Sequence, residues 1–143
     1  MDRMNAGRVL GIDYGSKRVG VAVSDPLRVI AQGAGTFDNN AQLIDKLEKL
    51  VVEREVALIV VGMPYALDGG VGAKGGEVER FVESLRSAVC VPIETWDESY
   101  TSKEAQQVFV QSGMKRKKRR EKSRVDEMAA RLILQEYLEN GNR

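Results

Sequence analysis

The 143-residue chain contains no histidine. Proton transfer near neutral pH therefore falls to carboxylates, lysine, tyrosine, serine or a bound metal. A Ser-His-Asp triad is excluded, as is the usual zinc site built from histidine or several cysteines. The one cysteine, Cys90, can close no internal disulfide, which agrees with a reducing compartment. Flanked by Val89 and Val91, it reads as a buried core thiol. Long apolar runs are missing too. The longest, Val56 to Val61, is far too short to span a bilayer, and the opening MDRMNAGR lacks the apolar core of a signal peptide. A cytoplasmic protein with no membrane partner is expected.

What is present fits one ordinary domain over residues 1–143, with 43% hydrophobic and 30% charged residues. Three strands are predicted first: RVLGID, then RVGVAVSD with Val19, Val21 and Val23 alternating, then VIAQGAGTF. Short links between them suggest antiparallel hairpins. Asn40 to Arg54 carries Leu43, Ile44, Leu47, Leu50 and Val51 at helical spacing. VALIVVG reads as a strand covered on both faces. A glycine-rich stretch then leads into a helix near Glu77 to Ala88, VPIETWD forms a fifth strand, and helices follow over Thr101 to Gln111 and Ser123 to Glu139. The expected fold is α/β, a five-stranded mixed sheet with three antiparallel strands followed by two parallel ones, flanked by helices.

Charge is unevenly spread. KRKKRREKSR, Lys115 to Arg124, holds eight of the 22 basic residues and one of the 21 acidic ones, so it carries +7 and the rest of the chain −6. Like charges that dense repel and bury nothing, which predicts a mobile loop at about 112–122. It lacks the aromatic interleaving of a base-stacking surface.

Candidate chemistry rests on acids. Asp13 ends the first strand between Gly11 and Gly15, which leave it open to a ligand; a simple hairpin turn would account for it equally. Asp97 and Glu98 close the fifth strand, at the edge where ligands of parallel sheets bind, or pair there with a surface lysine. Asp126 fits a capping box with Ser123, yet it also lies beside the stripe of Ala130, Ile133 and Tyr137 that would pack on the sheet. Carboxylates converging in one place would repel unless divalent cations sit among them, and hard oxygen donors suit Mg²⁺ or Mn²⁺. A pair of such ions about 4 Å apart hydrolyses phosphodiesters without histidine. The basic run would then draw a phosphate backbone to the site. Lys17 and Arg18 are hairpin charges or phosphate contacts. The glycine-rich stretch after Gly62 is not a P-loop.

Four segments in order resemble the YqgF/RuvX family, described as Holliday junction resolvases and pre-16S rRNA nucleases with an RNase H-like fold. They are GIDYGSKRVGVAVSD, GMPYALDGG, DESYTS and VDEMAARLILQEYL. The resemblance implies that Asp13, Glu98 and Asp126 are catalytic and bind Mg²⁺ or Mn²⁺ as a pair of ions, with Asp97 a fourth ligand. It implies a nucleic-acid substrate, pre-rRNA or branched DNA. From their charge and position, Lys17, Arg18, Lys103, Lys115, Arg116, Lys117, Lys118, Arg119, Arg120, Lys122 and Arg124 are the candidate phosphate contacts, and a monomer or a homodimer is expected. One departure is Ser99, where the family has arginine; Lys103 and the basic run could fill its role. A non-cleaving nucleic-acid-binding adaptor is the rival reading.

Overall fold

Alternation puts Val19, Val21 and Val23 on one face of a sheet and Gly20 and Ala22 on the other. The computed structural model describes residues 7–64, 72–97 and 118–141, with side chains of the last segment described for 126–140. The strands are β1 (Arg8–Tyr14), β2 (Arg18–Ser24), β3 (Ala31–Asp38), β4 (Val56–Met63) and β5 (Ile93–Asp97). The helices are α1 (Leu43–Glu53), α2 (Ala73–Ala88) and α3 (Lys118–Glu136), the last ending in a π-helical turn, Tyr137–Gly141. In space the strands run β3-β2-β1-β4-β5. The first three are antiparallel neighbours, and β4 pairs parallel with both β1 and β5. The mixed sheet thus matches the expectation, antiparallel half and parallel half included.

Each face has its own core. On one, Leu10, Ile12, Val21, Ile59 and Val61 meet Leu43, Leu47 and Leu50 of α1 and Val78, Phe81 and Leu85 of α2. On the other, Val9, Ala22, Leu58 and Val60 meet Ala130, Ile133, Leu134 and Tyr137 of α3. Each large aliphatic chain buried in this way contributes about 1.5–3 kcal/mol before entropy is counted. The α3 face is built from small residues where the helix sits closest. A Cβ added at Gly11 would come within 2.7 Å of Leu134 Cβ. Farther along, Trp96 packs edge-on against Tyr137 and donates to Glu136 Oε1 at 3.1 Å. The Tyr137 hydroxyl donates to Glu94; burial and then the neighbouring Glu94 charge push its pKa up.

Several expectations need correction. Cys90 is exposed, because it lies in the bend between α2 and β5, where its half-buried neighbours Val89 and Val91 take the inward positions. Helix α2 begins at Ala73, four residues before the expected start, and Gly75 in its first turn is buried. Helix α3 begins at Lys118, so residues 118–122 are helical and not loop. Lysine and arginine are good helix formers, and that propensity outweighs the repulsion between them. The expected helix over Thr101 to Gln111 lies outside the described residues.

The β2–β3 connection is held by one carboxylate. Asp25 accepts hydrogen bonds from the amides of Val29 and Ile30, each at 2.8 Å, and of Leu27 at 3.2 Å. Partial burial pushes the Asp25 pKa up, but the amides of Ile30, Val29 and Leu27 outweigh that and hold it below the ordinary 3.8. A carboxyl whose pKa is depressed by folding stabilises the fold above its unfolded value, and that contribution disappears as pH falls through the folded value. Asp25→Ala is therefore expected to cost about 1–2 kcal/mol at neutral pH. Urea unfolding should show the gap to wild type closing in acid, below the ordinary carboxylate range.

Candidate active site

Asp13 stands at the carboxyl end of β1, the central strand, directly across from Gly20 of β2. Side chains of such a pair share a face, and the period of two puts Asp13 on the same face as Val9 and Gly11, beneath α3. The backbone of α3 touches down at the same place. A Cβ added at Gly20 would overlap the Asp126 carbonyl oxygen and lie only 2.3 Å from its carbonyl carbon. Directly opposed Cβ positions are about 5 Å apart, so the Asp126 carbonyl group lies within roughly 7 Å of the Asp13 Cβ. The head and the tail of the sequence are thus brought together by a glycine.

The capping-box reading of Asp126 fails in this arrangement. Ser123 lies inside α3, five residues past its first residue, and cannot be its N-cap. Asp126 instead faces Arg18, whose Nε donates to Oδ2 at 3.3 Å with both side chains about one-quarter to one-third exposed. A cationic group already sits on this carboxylate. Hard oxygen donors from β1 and α3, with a positive charge drawn to one of them, fit a divalent cation.

Asp97 ends β5 beside Met63 of β4. Trp96 points to the α3 face, where it meets Tyr137, so alternation turns Asp97 to the opposite face from Asp13. Among the described residues no group of three or more ligating side chains gathers. Glu98, Lys103 and Lys115 to Lys117 lie outside the described residues, as do the side chains of Lys118, Arg119, Arg120, Lys122 and Arg124.

Beside Asp126 opens a cleft of about 520 Å³, lined by Gly15, Ser16, Lys17, Arg18, Ala73, Lys74, Glu77 and Asp126. The β1–β2 hairpin tip forms one wall. Its turn needs Gly15, since a Cβ there would collide with the Arg18 carbonyl oxygen, and Asn39 steadies it by donating to the Gly15 oxygen at 2.8 Å. The first turn of α2 forms the other wall, with Lys74 near the positive end of the helix dipole. Lys74 is left out of the sequence reading, which takes the glycine-rich stretch either as a connection or as a backbone surface near substrate; a lysine three residues before Glu77, at the start of the apolar helical pattern, is the available signal.

Comparison with known proteins adds to this geometry. Residues 7–140 match the model of the RuvX family, described as Holliday junction resolvase. A protein of Chlorobaculum tepidum named "Putative pre-16S rRNA nuclease" is 45% identical over 134 residues, covering 93% of this chain and 94% of that one. One of the same name from Thermoanaerobacter pseudethanolicus is 41% identical over 136 residues, covering 93% and 96%. Among solved structures, Thermus thermophilus RuvC in complex with a Holliday junction substrate aligns with a TM-score of 0.57 at 16% identity, over 94% of this chain and 96% of that one. That likeness shows a common RNase H-like fold.

Proposed function

Since the chain belongs to the RuvX family, we propose that it is a metal-dependent endonuclease that hydrolyses phosphodiester bonds of structured nucleic acid, in the 5′-end processing of pre-16S rRNA. The observation that carries this reading is the convergence of Asp13 and Asp126 at Gly20, beside a cleft edged by Lys17, Arg18 and Lys74. Asp13, Asp126 and Glu98 hold Mg²⁺ or Mn²⁺. The alternation that turns Asp97 to the face away from Asp13 counts against Asp97 as a ligand. Bound there, the ions supply an activated water and charge neutralisation at the leaving oxygen.

The chain's own groups do the rest. Carboxylates from β1 and α3 meet at the sheet edge and fix where that charge sits. Lys17 and Lys74 flank the cleft and orient the phosphate backbone, and the basic run of Lys115 to Arg124 gathers the polynucleotide by releasing counterions. These contacts read phosphate and not base identity, so the substrate is selected by shape.

The test is a parallel cleavage assay on a pre-16S rRNA fragment and a four-way DNA junction with Mg²⁺ or Mn²⁺. Cleavage of the rRNA fragment, lost on chelation, is expected. Cutting confined to the junction would transfer the assignment to a resolvase. Salt-dependent binding without cutting of either would make the protein an adaptor, a reading that Ser99 in place of the family's arginine keeps open.

A further inference from the structure

Helix α3 is tied to the edge strand β3 at two points. Gln135 accepts the Ala31 amide through Oε1 at 2.8 Å and donates through Nε2 to the Val29 oxygen at 3.0 Å. Two turns earlier, Glu127 accepts the Gly35 amide through Oε2 at 3.1 Å. The spacings match: eight helical residues rise about 12 Å, and the four strand residues from Ala31 to Gly35 span about 13 Å.

The strand is shaped for the second tie. Register slips between Val21↔Gly35 and Ala22↔Gly33, which leaves Ala34 as the extra residue of a bulge. Gly35 has φ +118°, a conformation side chains rarely adopt. Gly33 leaves the room that Glu127 fills, since an added Cβ there would lie 2.7 Å from the carboxylate carbon and 2.9 Å from Cγ. A bulge and two glycines thus serve one carboxylate, and that carboxylate belongs to the residue next to Asp126.

We infer that Glu127 is a positioning residue that locks the rotation and height of α3 so that Asp126 stays over Gly20, within reach of a cation shared with Asp13. The inference rests on the site proposed above. Glu127 acts as a hydrogen-bond acceptor, so its charge is dispensable and its reach is not.

The experiment is direct Mn²⁺ binding to the full chain by electron paramagnetic resonance, with thermal unfolding in parallel. Glu127→Ala and Glu127→Asp, which is one methylene too short, are expected to weaken Mn²⁺ binding about tenfold, the usual effect of removing a group that orients a ligand. Glu127→Gln, which keeps an acceptor oxygen of the same reach, should stay within about threefold of wild type. Gln135→Ala removes the distant tie and should lower the melting temperature while leaving Mn²⁺ affinity unchanged. Wild-type affinity in Glu127→Asp alongside a loss in Asp126→Asn would overturn the inference and leave the site intact. Equal losses in Glu127→Gln and Glu127→Ala would overturn it differently, by making Glu127 itself a ligand. Undiminished binding in Asp126→Asn would remove the proposed site.

Discussion

Gly20→Ala is expected to destabilise the protein by about 3 kcal/mol and lower its melting temperature by about 10 °C. The added methyl would overlap the Asp126 carbonyl oxygen, and the Glu127 amide nitrogen would lie 2.9 Å away. These obstacles are backbone atoms and cannot rotate aside. Strand β2 cannot retreat, because Val19 and Val21 are fully buried on its far face. Helix α3 would have to lift, and it would carry Asp126 away from Asp13 as it did so. Loss of Mn²⁺ binding should therefore accompany the loss of stability. Gly72→Ala is the control: Gly72 caps α2 with open space around its Cβ position and φ −83°, and the change should cost no more than about 1 kcal/mol, the loss of a preferred N-cap residue. Chemical denaturation of the two variants, with Mn²⁺ titration of each, separates the close approach from a general intolerance of glycine loss.

Asp13→Asn is expected to do the reverse, abolishing cleavage while sparing the fold. An amide keeps the size of the carboxylate and one acceptor oxygen but binds a divalent cation poorly. Removing several kcal/mol of transition-state charge stabilisation lowers the rate about a thousandfold or more. Thermal stability in the absence of metal should hold or rise slightly, because Asp126 loses a like charge nearby. Single-turnover cleavage measures the first effect and calorimetry the second. A variant that cuts at the wild-type rate would exclude Asp13 from the chemistry.

Much of this architecture is legible in the sequence because burial leaves a period. The alternation of Val19, Val21 and Val23, the unbroken VALIVV of β4 and the helical spacing of Leu43, Leu47 and Leu50 each record which face meets a core. Asp13 stands out because a charge interrupts such a pattern. What the sequence hides depends on contacts between distant segments. Nothing near Gly20 indicates that a helix more than 100 residues away rests on it. Glu127 looks like any exposed helical acid until the bulge at Ala34 and the opening at Gly33 are known. Ser123 and Asp126 have capping-box spacing, and only the helix's start at Lys118 removes that meaning. Cys90 misleads for a related reason: two flanking valines suggest a core, but a bend reverses which residues face inward.

Arg18 links these levels. As a sequence feature it is a hairpin charge, and in the fold it donates to Asp126. A divalent cation bound at Asp126 would compete with Arg18 for the carboxylate, and a displaced guanidinium would be available to a phosphate.

The most direct test of the convergence is anomalous diffraction from crystals soaked in Mn²⁺. A manganese peak bonded to carboxylate oxygens of both Asp13 and Asp126 is the expected result. A manganese ion bound elsewhere, with Arg18 still paired to Asp126 and no density between β1 and α3, would contradict the account.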